Sequence, residues 1–172
     1  DPNAAVHYLA RLIAADDIQS ICRRLMVIAC EDVGLAHPTA ITVVKACVDS
    51  ALMLGFPEAR IPLAEATLLL ATAPKSNSAY MAVNAALYDI EHMDTGSIPR
   101  QLQNKHYDGE GAVQRGQNYL YPHDYPDHYV AQQYLPERIK DKVYYRPGEN
   151  KLEQAAWNYW QQIKDIRDKS EK

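Results

Sequence analysis

Two prolines, Pro62 and Pro74, bracket the stretch that most constrains what this chain can become. Between them Leu63, Leu68, Leu69, Leu70 and a set of alanines leave only Glu65, Thr67 and Thr72 polar. A helix that is apolar on nearly every face is either buried at the centre of a fold or crosses a membrane. A crossing needs roughly 20 such residues, and this stretch offers about a dozen, so the pattern predicts a central core helix over 62–73. Proline is tolerated in a first helical turn and cannot continue a helix interior, so Pro62 and Pro74 mark its two ends. A second helix restarts after the turn 74–78, with Ser76 or Asn77 as its cap. Its helical repeat can be read through Met81, Ala85, Tyr88 and His92, or through Ala82, Ala86 and Asp89 beside them.

The turn between these helices carries a cation. A lysine next to a helix N-terminus opposes the helix dipole, so Lys75 is poorly placed for helix stability alone. Free amides at that N-terminus, with Lys75, Ser76 and Asn77, form a candidate anion or carboxylate site. The plainer alternative is a solvated lysine beside an ordinary cap.

The remaining chain reads as further helices with short links. Asp1-Pro2-Asn3 opens a first helix with Val6, Leu9, Leu12 and Ile13 on one face. Asp16 or Asp17 caps a second, whose apolar stripe is Ile18, Ile21, Leu25 and Ile28, with Arg23 and Arg24 on its other side. This helix ends at Glu31-Asp32-Val33-Gly34, where Gly34 suits a left-handed C-cap. Two acids at a helix C-terminus are unfavourable by dipole, and Arg24 is too far back for i,i+4 pairing. Glu31 and Asp32 are therefore expected to find cations elsewhere in the fold or on another subunit. Pro38 opens a third helix to about Leu54 and Gly55, with Ile41, Val44, Val48 and Leu52 inward.

After Met93 the character changes. Residues 94–148 hold five of the seven glycines, five of the ten prolines and eight of the twelve tyrosines. Helical periodicity is short-lived there, at best Val113–Tyr119 and Pro136–Lys142. Irregular segments of this length are uncommon unless they function or pack along a surface, and tyrosine brings large contact area with a polar tip. Tyr125, Tyr129 and Tyr134 are thus candidate interface aromatics, the alternative being a wrap around the chain's own core. A last helix runs from Glu149 to about residue 170, with Leu152, Ala156, Tyr159, Ile163 and Ile166 at 4-3-4-3 spacing, flanked by Trp157 and Trp160, which join the candidate interface aromatics. That spacing suits packing against another helix. The chain is thus expected to be one all-α domain: a helical core over 1–93, a loop-rich segment over 94–148 and a C-terminal helix.

With 172 residues the chain can bury a substantial core. Its net charge is −4, with ten acids against six bases over 1–93 and twelve of each over 94–172. Neither half is basic, so phosphate neutralisation offers no basis for strong nucleic-acid binding. Cys22, Cys30 and Cys47 lie among apolar residues without CxxC spacing and read as reduced core cysteines of a cytosolic protein, with metal binding not expected. No signal peptide and no transmembrane run is present. The opening at Asp1 rather than methionine points to a piece of something longer. Gly111 and Gly116 have phosphate-loop spacing, but Gln117 and Asn118 stand where lysine and Ser/Thr are required. His123, Asp124, Asp127 and His128 offer four potential metal ligands. The prolines Pro122 and Pro126 deny them a fixed helical face, so no metal, cofactor or catalytic residue is assigned. The enzyme reading left open is an all-α metal-dependent phosphohydrolase built on His123-Asp124.

Three motifs, Glu31-Asp-Val-Gly-Leu-Ala36, Ala71-Thr-Ala-Pro-Lys-Ser-Asn-Ser78, and His123-Asp-Tyr-Pro through Gln132-Gln-Tyr-Leu-Pro136, occur in this order. With the opening Asp1-Pro-Asn-Ala-Ala and Tyr8-Leu-Ala-Arg11, they resemble the C-terminal region of the MgsA/RarA family, bacterial relatives of the Werner-helicase-interacting protein. The resemblance implies a collar-like helical domain of a clamp-loader-type AAA+ ATPase that acts at stalled replication forks, in recombination and in repair. It implies assembly into a homotetramer, association with single-stranded DNA-binding protein, and a cytoplasmic, fork-associated location. The ATP and magnesium sites would lie in an upstream module, and DNA would be reached through the full-length assembly. None of the family's catalytic motifs matches a position here. Arg23, Arg24, Glu31, Asp32, Lys75, Ser76, Asn77, His123 and Asp124 remain a candidate polar or interface site.

Overall fold

The computed structural model describes residues 1–103 and 119–170. Among the described residues there are six α-helices and no β-strand: α1 (Pro2–Ala14), α2 (Ile18–Ile28), α3 (Ala40–Leu54), α4 (Arg60–Thr72), α5 (Ser78–His92) and α6 (Lys151–Ser170). The all-α expectation holds. The P-loop-like glycines Gly111 and Gly116 and the periodicity over 113–118 lie outside the described residues. The chain divides into two compact units, Asp1–Val83 with Tyr145–Ala155, and Asn84–Tyr144 with Ala156–Lys172.

The first unit is built on α4, which packs against α1, α2 and α3. Leu63, Ala66, Thr67 and Leu70 are buried, and Leu63 has no exposed surface. The all-round apolar pattern therefore reads correctly as a central helix, although Leu68 remains exposed. Ala73 takes an extended conformation (ψ 149°), the geometry proline imposes on the residue before it, and α4 stops there. Thr67 and Thr72 return their hydroxyls to the carbonyls of Leu63 and Leu68, each at 2.8 Å, so neither brings an unpaired polar group into the helix packing.

The surrounding helices follow their caps. The Asp1 carboxylate accepts from the amides of Asn3 and Ala4 at 2.8 and 3.1 Å. Asp17 rather than Asp16 caps α2, accepting from the Ser20 amide at 3.1 Å. The α2 stripe sends Ile21 and Leu25 into the core beside Cys22, whereas Cys30, expected in the core, is exposed because the π-helical turn after α2 shifts the helical phase. On α3 the inward set is Ala40, Val44, Cys47, Val48 and Ala51. Leu52, expected inward, is exposed, because small residues let α3 approach along Ala40, Val44 and Ala51 instead.

After α2 the chain widens into a π-helical turn over Ala29–Val33 and then reaches Gly34. There φ is +46° and ψ is −132°, a conformation that side-chain-bearing residues rarely adopt. A Cβ at Gly34 would also stand 2.6 Å from the Ser76 carbonyl oxygen. Glycine is required twice over, and the reason is tertiary as well as local.

In the second unit the described residues 94–103 and 119–144 are mostly irregular, with short 3₁₀ turns at Arg100–Leu102, Pro122–Asp124, Pro126–His128 and Glu137–Ile139. Among its described residues Val130, Ile139 and Ile163 are the buried apolar ones. Asp89 is buried and accepts from Lys142 Nζ at 3.0 Å and from Tyr144 OH at 2.9 Å. These hydrogen bonds hold the Asp89 carboxyl below its usual range, and they tie the end of the irregular segment to α5.

Candidate functional site

The Glu31–Ala36 and Ala71–Ser78 motifs converge in the first unit. The Ser76 amide donates to the Asp32 carbonyl at 2.8 Å, which pins the α4–α5 turn against the end of α2. Below this contact opens a cleft of about 590 Å³, within the usual size range of ligand sites. Leu25, Ile28, Leu70 and Ala71 give it apolar surface, and Arg24, Asp32, Lys75, Ser76 and Asn77 give it polar groups. Five residues singled out from the sequence thus line one cavity. Arg23 and Glu31 do not line it.

The electrostatics of Lys75 differ from the expectation. Its ammonium donates to the Leu70 carbonyl at 2.8 Å and to that of Ala73, so it sits on the C-terminal carbonyls of α4. That is the favourable end of a helix dipole for a cation. The two acids find no cation within the described residues. Among the described residues neither Glu31 nor Asp32 forms an ion pair. With Asp1 and Asp32 facing Arg24 and Lys75 around the cleft, the charges balance, and its lining includes no histidine or cysteine. The cleft can bind a group by apolar contact and hydrogen bonding, but it assembles no nucleophile–base pair.

Beside the cleft lies a group that the motifs did not single out. Glu153, on the first turn of α6, is 2 % exposed. It accepts from Ser78 Oγ, from Asn150 Nδ2 and from Tyr145 OH, the last at 3.1 Å. Burial alone would raise its carboxyl, but hydrogen bonds from Ser76, Ser78, the Gly148 backbone and Asn150 outweigh that and pull it down to about 2. The Glu153 amide in turn donates to Asn150 Oδ1 at 3.0 Å. Asn150 is therefore the side-chain N-cap of α6, a signal legible in the sequence. The contact of Glu153 with Ser78, 75 residues away, is not.

The third feature is α5, which is inverted. Its buried residues are the polar Ser78 and Asp89, with Ala82 and Ala86 half-buried beside them. The repeat Ala82, Ala86, Asp89 faces inward, and Met81, Ala85, Tyr88 and His92 face out. Tyr80, Val83, Leu87 and Ile90 are exposed by 42, 53, 49 and 65 %. α6 behaves similarly near its start. Of the expected row, Leu152, Ala156 and Tyr159 are exposed, and Ile163 is buried. The side chain of Ile166 lies outside the described residues.

Of the aromatics, Tyr129 meets Trp160 edge-on with ring centroids 5.1 Å apart and stacks near Tyr134 at 6.5 Å. Tyr125 and Trp157 are half-buried. His123 and His128 lie 4.7 Å apart by ring centroid, on 3₁₀ turns rather than a rigid helix. Among the described residues no three His, Cys, Asp or Glu side chains converge as a metal cage. The phosphohydrolase reading of His123-Asp124 therefore has no support in the geometry.

A capped all-α domain with an exposed apolar helix face is the class that the fold defines. The particular family is shown by comparison: residues 1–164 match the model of the MgsA AAA+ ATPase C-terminal family, and the chain belongs to it. It is 51% identical over 156 residues to replication-associated recombination protein A of Bacillus subtilis, covering 90% of this chain and 37% of that protein. It is 38% identical to the protein of that name in Escherichia coli K12, covering 88% and 34%. It is 48% identical to an uncharacterised AAA domain-containing protein of Mycobacterium tuberculosis, covering 86% and 33%. The chain thus spans about a third of the length of these relatives. No helix among the described residues is long and apolar enough to cross a membrane.

Proposed function

We propose that this domain is the oligomerisation and interaction module of a AAA+ ATPase that acts in replication-fork maintenance, recombination and repair, and that it assembles as a homotetramer. The observation that carries this reading is the inverted burial of α5, which turns Tyr80, Val83, Leu87 and Ile90 to solvent while Ser78 and Asp89 are buried. An exposed stripe of this kind costs solubility unless something covers it. The names of the relatives support the replication and recombination setting, and the family description supports an ATPase parent. In this reading ATP and magnesium bind an upstream module, and this domain turns over nothing itself. DNA is reached through the assembled parent, because a net charge of −4 gives this domain little phosphate affinity of its own. The cleft lined by Arg24, Asp32, Lys75, Ser76 and Asn77 serves a partner protein, with single-stranded DNA-binding protein as the candidate. The cell compartment is the cytoplasm, at replication forks.

Sedimentation equilibrium over a micromolar concentration series tests the assembly. A single species of four copies of the 19.4 kDa chain is the expected result. An ideal monomer across the series removes the assembly role.

A further inference from the structure

Resting on the reading that the cleft serves a partner protein, we propose that it takes an extended peptide segment with an acid, an apolar residue and a base at alternate positions. Some polar groups of the cleft are already spent. The Lys75 ammonium is taken up by the carbonyls of Leu70 and Ala73, and the Asp1 carboxylate by the amides of Asn3 and Ala4. Arg24, Asp32 and Asn77 line the same cleft. Among the described residues their side chains hold no ion pair and no hydrogen bond. A guanidinium, a carboxylate and a carboxamide are thus free around an apolar floor.

Their spacing sets the ligand. Arg24, Ile28 and Asp32 recur at four-residue intervals, which puts them in one row along a helical face. The π-helical turn over Ala29–Val33 falls within this row, yet all three residues line the cleft. Eight residues of helix rise roughly 12 Å. In an extended chain alternate side chains point the same way at intervals of roughly 6.6 Å, so three of them span about 13 Å. An acid set against Arg24 therefore brings the next same-side residue over Ile28, Leu25 and Leu70, and the one after it to Asp32. The Asn77 carboxamide, both donor and acceptor, pairs with a peptide group of the same segment.

Other ligand classes fit less well. A free amino acid holds its two charges only about 3 Å apart and would satisfy one end of the row. A purely acidic segment would meet Asp32 as a like charge. Nucleic acid would bring phosphates to that same carboxylate, and the cleft lining has no aromatic ring for a base to stack on.

Fluorescence anisotropy with the dye-labelled peptide Gly-Glu-Ser-Leu-Ser-Lys-Gly, and with the same residues in reverse order, tests this on the 172-residue chain at about 0.15 M salt. At least one of the two should bind saturably. Exchanging its Glu for Gln should weaken binding to the wild type about threefold and leave binding to Arg24→Gln unchanged. Exchanging its Lys for Gln should do the same with Asp32→Asn. Both positions are exposed, and circular dichroism checks that the variants keep their helix content. Three results overturn the proposal: equal or tighter binding of a peptide with Glu at both charged positions, equal weakening in wild type and variant, or no binding of either peptide. Surface plasmon resonance with whole single-stranded DNA-binding protein separates this from the partner reading. Loss of that protein by the double variant Arg24→Gln/Asp32→Asn, with no peptide bound, overturns the segment alone. Coupled peptide binding, with that protein held equally by wild type and double variant, supports the segment and removes that protein as the partner at the cleft. Failure of both measurements overturns both.

Discussion

Glu153 carries a negative charge in a place where water does not reach it, and neutral donors rather than a cation hold it there: Ser78, Asn150 and Tyr145 all point at its two oxygens. Its folded value of about 2 lies below the ordinary 4.5. A depressed carboxylate contributes stability above its unfolded value and loses it as pH falls through the folded one. The contribution is thus complete above pH 4.5 and fades toward pH 2, with a total on the order of 3 kcal/mol. Urea midpoints measured from pH 6 to pH 2 should fall across that window, and Glu153→Gln should flatten the fall. A wild-type profile as flat as the variant's would mean that Glu153 is not held as an ion. Gly34 is the second residue whose identity is dictated. Gly34→Ala places a Cβ against the Ser76 carbonyl in a positive-φ conformation, and should cost about 1–3 kcal/mol. Equal urea stability of the variant would show that the Asp32–Ser76 contact is not tight.

At the scale of elements, the chain's own punctuation accounts for where helices begin and end. Asp1 and Asp17 act as N-caps, Pro74 stops α4, and a positive-φ glycine, Gly55, ends α3. These were legible because each depends on atoms within a few residues. The inward face of α5 was not, since both candidate repeats satisfy helical periodicity. What decides between them is two long-range polar anchors, Ser78 to Glu153 and Asp89 to Lys142, separated by 75 and 53 residues. The row on α6 shows the same limit: periodicity shows that a row exists, not whether its partner lies within the same chain. Lys75 shows a subtler failure. Its position relative to the start of α5 was clear, but its side chain folds back to the end of α4. That contact makes a test at this scale: Lys75→Met removes two hydrogen bonds to C-terminal carbonyls and should destabilise the chain by about 1 kcal/mol. An unchanged thermal midpoint would mean that the lysine contributes nothing to the end of α4.

For the whole molecule, motifs distant in sequence proved close in space. Asp32 and Ser76 touch, and the cleft beside them gathers Arg24, Lys75 and Asn77. The third motif, at His123-Asp124, lies in the other unit and joins no such site. Exposed apolar residues occur on several helices, among them Met53 and Ile61, and α5 contributes Tyr80, Val83, Leu87 and Ile90; the proposed assembly rests on the α5 row. Light scattering coupled to size exclusion on the wild-type chain and on Leu87→Asp tests this most directly. Leu87 is about half exposed, so an aspartate there leaves the core intact while placing a charge at the centre of the stripe. The account predicts a wild-type mass of four 19.4 kDa chains and a smaller species for Leu87→Asp with unchanged helix content. A wild-type chain eluting as a 19.4 kDa monomer, or a variant that keeps the wild-type mass, would contradict it.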